Sequence, residues 1–77
     1  MESRYFIIFY MLFEVRVARY LPLSATAVTK GVFPNQAKAI SMLVENHRAE
    51  GTAVDPVCIS ITNIIELPEA DYQEFIK

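Results

Sequence analysis

The chain has 77 residues, of which 53% are hydrophobic and 21% charged, and its formal net charge is −2. This length allows one domain with a small core, and the mild acidity argues against a protein that binds nucleic acid through charge. Cys58 is the only cysteine and His47 the only histidine, which excludes an intrachain disulfide and a zinc site made of Cys and His alone. A domain of this size needs other support, and oligomerisation is the support that remains.

Residues Arg4–Leu12 are predicted to form the first strand, and this strand is apolar on both of its faces. Side chains alternate between the faces, so the two sets are the odd positions Tyr5, Ile7, Phe9 and Met11 and the even positions Phe6, Ile8, Tyr10 and Leu12. A strand is apolar on both faces only when both are covered. A chain this short has few elements to provide the second cover, so the pattern points to a partner.

A hairpin turn is predicted between Glu14 and Arg19, although this segment lacks the Gly, Asn or Pro typical of tight turns. The second strand, Leu21–Lys30, alternates apolar and polar residues, which is the pattern of a half-buried strand. Pro22 lies near its start and has no N–H group, so it suits the edge of a sheet.

The main helix is predicted over Gln36–Arg48. Asn35 is a suitable N-cap, and Gly51 can end the helix. Residues at three- and four-residue steps share the helix face that packs on the sheet. These residues are Ala37, Ile40, Leu43, Val44 and His47.

Val57–Leu67 is predicted to be the third strand, with its apolar set on one face. Asn63 interrupts the inward-facing positions, and because a buried amide needs partners, we expect a bulge or a backbone contact there. A short helix begins at Pro68. Its apolar stripe, which must dock on another surface, consists of Tyr72, Phe75 and Ile76.

Together these elements predict an α+β fold with the order ββαβα, in which residues 1–77 form a single small domain. The expected sheet is three-stranded and antiparallel with strand order 2-1-3, and a right-handed crossover joins the second and third strands. The main helix is expected to cover the sheet face that contains Ile7, Phe9, Leu23, Ile59 and Ile61. The opposite face would then expose an apolar stripe made of Phe6, Ile8, Tyr10 and Leu12.

An exposed apolar stripe with a polar margin is typical of an interaction surface. We therefore predict a non-enzymatic protein-interaction module that self-associates, most simply as a homodimer, through Phe6, Ile8, Tyr10 and Leu12. Two alternatives stay open. The C-terminal helix could fold back over the stripe and complete a monomer, or the stripe could await another, unidentified protein.

The same aromatic face also allows a second function, that of an accessory protein for single-stranded nucleic acid. Phe6 and Tyr10 would stack on bases, with Arg4 and Lys30 nearby to contact phosphates. The chain is acidic and lacks the glycine-flanked aromatic motifs of RNA-recognition domains, so nucleic-acid binding is the alternative and not the main prediction.

A small enzyme is the least supported class. Cys58 and His47 are the only pair that could form a nucleophile and a base, and the predicted fold places them on opposite sides of the sheet. An acidic cluster near the end of the chain consists of Glu66, Glu69, Asp71 and Glu74. We expect this cluster to cap the last helix and to keep the surface soluble rather than to hold a cation. We predict no catalytic residue, no cofactor and no metal site.

The apolar run of the first strand is too short to span a bilayer, which needs about 20 residues. The charged residues Glu14, Arg16 and Arg19 interrupt the similarity of the N-terminal region to a signal peptide. We expect a cytoplasmic protein with no membrane association and with Cys58 as a reduced thiol.

Three segments of the chain form a recognisable pattern, namely Tyr5–Tyr10, Gly31–Asn35 and Ile61–Tyr72. Together they resemble a group of short proteins of unknown function from gut bacteria and their phages or mobile elements, whose segments read YFIIFY, GFPN and ITNIIEL-x-E-x-DY. The chain departs from that pattern between the first two strands, where a glycine-containing turn is expected, and at Pro68, where a serine would cap the helix. The resemblance implies the same fold and no established activity.

Overall fold

The computed structural model describes residues 2–77. In chain order its elements are strand β1 (Ser3–Glu14), strand β2 (Arg19–Lys30), helix α1 (Gln36–Ala49), a 3₁₀ turn (Pro56–Cys58), strand β3 (Ile59–Leu67) and helix α2 (Glu69–Phe75). The described residues therefore have the predicted ββαβα order of an α+β fold. β3 begins two residues later than predicted, because Asp55 caps the 3₁₀ turn by accepting a hydrogen bond from the Val57 N–H at 3.0 Å.

The sheet is antiparallel with strand order β2-β1-β3, as predicted. β1 and β2 pair along their whole length, from Ser3 opposite Lys30 to Glu14 opposite Arg19. The turn between them contains Ala18, which has a positive φ of 51°. Glycine adopts this conformation more readily than any other residue. The hairpin predicted between Glu14 and Arg19 is confirmed, and Ala18 stands where a glycine would be expected.

Helix α1 begins and ends with identifiable caps. The Asn35 side chain accepts a hydrogen bond from the Lys38 N–H at 2.8 Å, as expected for an N-cap. At the other end, Gly51 has a φ of 87°, and the Thr52 N–H donates to the His47 carbonyl at 2.8 Å. This is the hydrogen bond that closes a helix ending in a left-handed glycine. Both predicted caps are confirmed.

Helix α1 covers the even-numbered face of β1. The residues of the buried cluster are Phe6, Ile8, Tyr10, Ala27, Ala39, Leu43 and Ile59. The prediction that α1 covers Ile7 and Phe9 is therefore wrong. The helix is also rotated relative to the predicted stripe, because Ala39 is buried whereas Ala37 is exposed.

The length of the hairpin turn explains why the two faces are exchanged. The turn leaves Glu14 opposite Arg19, so every odd residue of β1 lies opposite an even residue of β2, and the reverse. Phe6 is therefore opposite Ala27, and paired residues share a face of the sheet. The apolar odd positions of β2 thus join the even positions of β1 under α1. A turn with one residue more or fewer would exchange the faces.

Strand β3 contains a bulge at Thr62. Phe9 lies opposite Asn63, but the next residue of β1 lies opposite Ile61, so Thr62 is an extra residue. Its hydroxyl donates to the Phe9 carbonyl at 3.0 Å, and Asn63 Oδ1 accepts a hydrogen bond from the Ile64 N–H at 2.9 Å. The prediction of a bulge or a backbone contact at Asn63 is confirmed, since both are present. Beyond the bulge, the alternation returns Ile64 to the face that α1 covers.

Helix α2 packs on the odd-numbered face of β1, near the start of that strand. The Tyr72 ring lies 4.9 Å from the Tyr5 ring, centroid to centroid, and both Tyr72 and Ile7 are buried. Phe75 and Ile76, the other residues of the predicted stripe, remain 51% and 48% exposed. The C-terminal helix therefore covers one part of this face and leaves the other part open.

The long hairpin makes the molecule elongated. Its principal extents are 41 × 23 × 23 Å, and the 12 residues of β1 account for the long axis at about 3.4 Å per residue. The 14 residues of α1 span only about 21 Å at 1.5 Å per residue. The end of the sheet at the hairpin turn therefore extends beyond α1.

Candidate interaction surface

The odd-numbered face of β1 is uncovered along its second half. α2 packs on Tyr5 through Tyr72, and the odd positions of β1 that follow Ile7 pair with exposed residues of β2. These residues, called the open face from here on, are Phe9, Met11, Phe13, Tyr20, Pro22 and Ser24. The β2 members are exposed and the β1 members are half-buried.

The open face is largely apolar and carries no charge. The rings of Phe13 and Tyr20 lie 5.0 Å apart between centroids, and Tyr20 is 60% exposed. On the side of β3, the neighbours of this face are the uncharged residues Ser60 and Asn63. An apolar centre with a polar margin is typical of protein–protein contact surfaces.

Polar contacts hold α2 and β3 to the start of β1, one on each face of the sheet. The Tyr5 hydroxyl donates to Glu69 Oε1 at 3.2 Å, and burial, followed by this hydrogen bond, raises the pKa of Tyr5. Arg4 donates two hydrogen bonds to the Glu66 carboxylate, at 2.9 and 2.7 Å. These bonds raise the pKa of Arg4 and lower the pKa of Glu66. Two residues of the acidic cluster therefore make structural contacts.

The structure places the predicted interface residues in or beside the core. Phe6, Ile8 and Tyr10 are 0%, 1% and 5% exposed under α1, and Leu12 is partly buried against the same cluster. The prediction that these residues form an exposed stripe is wrong, because the register of the hairpin puts them on the face that α1 covers. The exposed surface lies on the opposite side of the same strand.

The predicted nucleic-acid residues do not form a platform either. The rings of Phe6 and Tyr10 are buried and so cannot stack on bases. The Arg4 guanidinium is held by a carboxylate and lies 5.5 Å from the centre of the Phe6 ring. Lys30 Nζ donates to a serine hydroxyl at the start of β1, at 2.7 Å. The charged and aromatic groups of that alternative are therefore not presented together on one surface.

Tyr10 and His47 form a polar pair at the edge of the core. Tyr10 Oη lies 2.9 Å from His47 Nε2, and the two rings meet edge to face with 6.1 Å between centroids. Burial, and secondly the nearby carboxylate of Glu50, raises the pKa of Tyr10. The phenol therefore stays protonated at neutral pH, and the pair connects the last turn of α1 to the centre of the sheet.

Cys58 and His47 are not brought together. Cys58 lies in the 3₁₀ turn and not on β3 as predicted. From the turn it lines a cavity of about 400 Å³ together with Leu12 and Phe13. His47 lines a different cavity, beside Tyr10. Among residues 2–77, no group of three or more His, Cys, Asp or Glu side chains is placed to hold a metal ion.

Sequence reasoning missed the β2 residues of the open face, above all Tyr20 and Pro22. The length of the hairpin turn could have identified them. Glu14 and Arg19 have opposite charges and form an ion pair at 2.9 Å. Such a pair is favoured directly across two antiparallel strands, and it would have set the register that places Tyr20 beside Phe13.

The comparisons with known proteins assign the chain to no family. No helix within residues 2–77 is long and apolar enough to cross a membrane. The similarity to the group of short proteins stays a prediction. Comparisons of the chain with protein-family models, with curated proteins and with solved structures gave no match.

Proposed function

We propose that this chain is a non-enzymatic interaction module that forms a homodimer through its open face. The observation that carries the proposal is the row of uncharged apolar side chains along the second half of β1 and its partners in β2. Aromatic residues and Met are the types enriched at the centres of interfaces, and the open face contains Phe9, Met11, Phe13 and Tyr20.

The exposed area of one chain supports pairing. Its accessible surface is 5343 Å², whereas a compact monomer of 8.8 kDa exposes about 4,800 Å². The excess, taken over the whole elongated chain, is about 550 Å². A dimer that buried an area of this size on each chain would hide about 1,100 Å² in total. Specific interfaces begin close to this size, at about 1,200 Å². A dimer of this kind is expected to dissociate on dilution.

A second copy of the chain is the partner that this surface favours. In a two-fold dimer the same patch meets itself, so any charge in the patch meets a like charge. The open face carries no charge, and Glu14 and Arg19, the next pair along the hairpin, are on the other face and pair with each other. Like-charge repulsion therefore does not oppose the approach of two open faces.

We also propose a cytoplasmic location and membership of the group of short proteins described above. The location rests on Cys58 as the only cysteine, because small domains of oxidising compartments usually depend on disulfides. Membership rests on the three segments quoted from the sequence. Neither proposal alters the function, since that group has no established activity.

Light scattering on a sizing column tests the proposed dimer. The wild-type chain is expected at twice its own 8.8 kDa and at lower mass on dilution. Met11→Glu places a carboxylate at the centre of the open face and is expected to give a folded monomer. Gln36→Glu adds the same charge at an exposed position of α1 and is expected to leave the dimer intact.

Two outcomes contradict the proposal. One is a wild-type chain that remains at 8.8 kDa at its highest soluble concentration. The other is a Met11→Glu variant that keeps the dimer, because the interface would then lie elsewhere. Circular dichroism of each variant separates loss of pairing from loss of folding.

A further inference from the structure

Strand β2 is an edge strand along all of its 12 residues. Within the described chain it pairs with β1 alone, so alternate residues of β2 direct their backbone N–H and C=O groups away from the sheet. An edge of this kind is a template for another extended chain. The surroundings of the edge decide what can reach it.

Two cavities, of about 570 and 450 Å³, follow this edge. Their linings share Thr26 and Asn46 and together contain Leu23–Val28, six consecutive residues of β2 that extend about 20 Å. Residues of α1 line both cavities, as do Tyr72 and Phe75 of α2, one in each. Because α1 and α2 lie on opposite faces of the sheet, a cavity that touches both must run past its edge. We call this channel the edge groove.

The two walls of the edge groove differ in chemistry. The α1 wall carries the carboxylates of Glu45 and Glu50, the amide of Asn46 and the imidazole of His47, and the α2 wall carries the rings of Tyr72 and Phe75. His47 Nε2 is already engaged, 2.9 Å from Tyr10 Oη. None of the described residues that line the groove is Lys or Arg. A strand presents alternate side chains to opposite sides. A strand added to β2 would therefore direct one set toward the acidic wall and the other toward the aromatic wall.

We propose that the edge groove binds an extended segment of another protein in which basic and apolar side chains alternate. The segment adds to β2 as a further strand, so its backbone hydrogen bonds provide affinity and the two walls provide selectivity. Glu45 already pairs with Arg48 at 2.9 Å, so Glu50 is the main contact for a basic side chain. Phe75, which is half exposed, is the main contact for an apolar one.

A second copy of β2 is a poorer occupant of the edge groove. That strand is flanked by its own α1 and α2, and these helices would meet the walls of the groove before the two edges could pair. A single extended peptide has no such flanks. The groove uses the edge of the sheet and the homodimer uses a face of it, and of the residues named for the two surfaces only Ser24 belongs to both.

Fluorescence anisotropy on the full chain tests the proposal with a labelled peptide of sequence Thr-Lys-Val-Lys-Val-Lys-Thr. Saturable binding is expected, and Glu50→Lys is expected to weaken it about tenfold, which corresponds to one unfavourable charge contact. Glu2→Lys is the matched charge reversal outside the groove and is expected to bind as the wild type does. The same peptide with its backbone N-methylated should not bind, because it cannot complete the strand pairing.

Several results of the titration would overturn the proposal. The first is that the basic peptide does not bind to the wild-type chain. The second is that a peptide with Glu in place of Lys binds equally well. The third is that Glu50→Lys binds the basic peptide as tightly as the wild type does. Met11→Glu is titrated in parallel and is expected to keep wild-type affinity. A failed dimer and a failed groove can then be distinguished.

Hydrogen exchange locates the contact. Peptide binding is expected to protect alternate amides within Leu23–Val28. Protection confined to β3 or to Phe9–Phe13 would place the peptide elsewhere and overturn the assignment. Protection of Ala25–Val28, which lies outside the open face, would also overturn it if it increased with protein concentration in the absence of peptide, because a second copy would then occupy the groove.

Discussion

Two isoleucines on opposite faces of the sheet test directly which face α1 covers. Ile8 is 1% exposed in the core, whereas Ile65 lies opposite Ile7 on the other face and is 40% exposed. The pattern of the sequence predicted the reverse, with Ile8 on the exposed stripe. Replacing each residue by Ala removes the same atoms, so the difference in cost reports the difference in burial.

The structure predicts a large cost at one site and a small cost at the other. Ile8→Ala is expected to cost about 4 kcal/mol, because a fully buried truncation loses transfer free energy and leaves a cavity. Ile65 is 40% exposed, so at about 0.8 kcal/mol for each fully buried carbon its truncation costs about 1.4 kcal/mol. A domain of 77 residues has a total stability of about 4–12 kcal/mol, so the first variant loses a third of it or more.

Urea unfolding followed by circular dichroism measures both costs. With a slope of about 1 kcal/mol per molar urea, the midpoints are expected to fall by about 4 M and 1.4 M. If Ile8→Ala does not fold, Ile8→Val, at about 1 kcal/mol, keeps the comparison measurable. Each titration is repeated at a tenth of the protein concentration, because dimerisation makes apparent stability concentration-dependent. An Ile65→Ala variant that loses as much as Ile8→Ala would refute the assignment of faces.

Three further predictions concern local contacts. Gly51→Ala is expected to lower the free energy of unfolding by about 1 kcal/mol, as measured by thermal melts. The cause is backbone strain alone, because the added Cβ meets no atom within 4 Å. A larger loss would contradict this cause. Tyr10→Phe removes the hydrogen bond to His47 and is expected to cost about 1 kcal/mol, and a further His47→Ala change should then cost less than it does alone. Arg4 lowers the pKa of Glu66 from 4.5, so the stabilisation by this pair is present above that pH and is lost as the pH falls through the lower folded pKa. Acid titrations of Glu66→Gln should lack this loss, and an unchanged acid limb would show that the pair contributes nothing.

The order of the elements and the caps of α1 could be predicted because they depend on signals close together in the sequence. Asn35 and Gly51 act within one turn of the helix ends that they cap. The interruption at Asn63 likewise indicated the bulge that is present beside it. These contacts involve neighbours along the chain, so the local pattern contains them.

The open face could not be predicted in the same way, because β1 is apolar at both odd and even positions. Its own pattern therefore does not choose a face. The choice depends on a register set by the turn between Glu14 and Arg19. This turn lacks the glycine that would have revealed its length, so the opposite charges of Glu14 and Arg19 are the signal that remained. If the length of this turn is misjudged by one residue, Phe9 is assigned to the core and Phe6 to the surface, which is the reverse of the structure.

The extra residue at Thr62 makes the two edges of the sheet unlike. β2 follows β1 for 12 pairs without a shift, whereas the pairing of β3 shifts between Phe9 and Tyr10. Fibrous growth requires each molecule to join one edge to the opposite edge of the next copy. An edge strand that carries a bulge is a poor template for such addition. The edge of β3 therefore does not accept a further strand, so strand addition along β2 yields a finite complex and not an open-ended polymer.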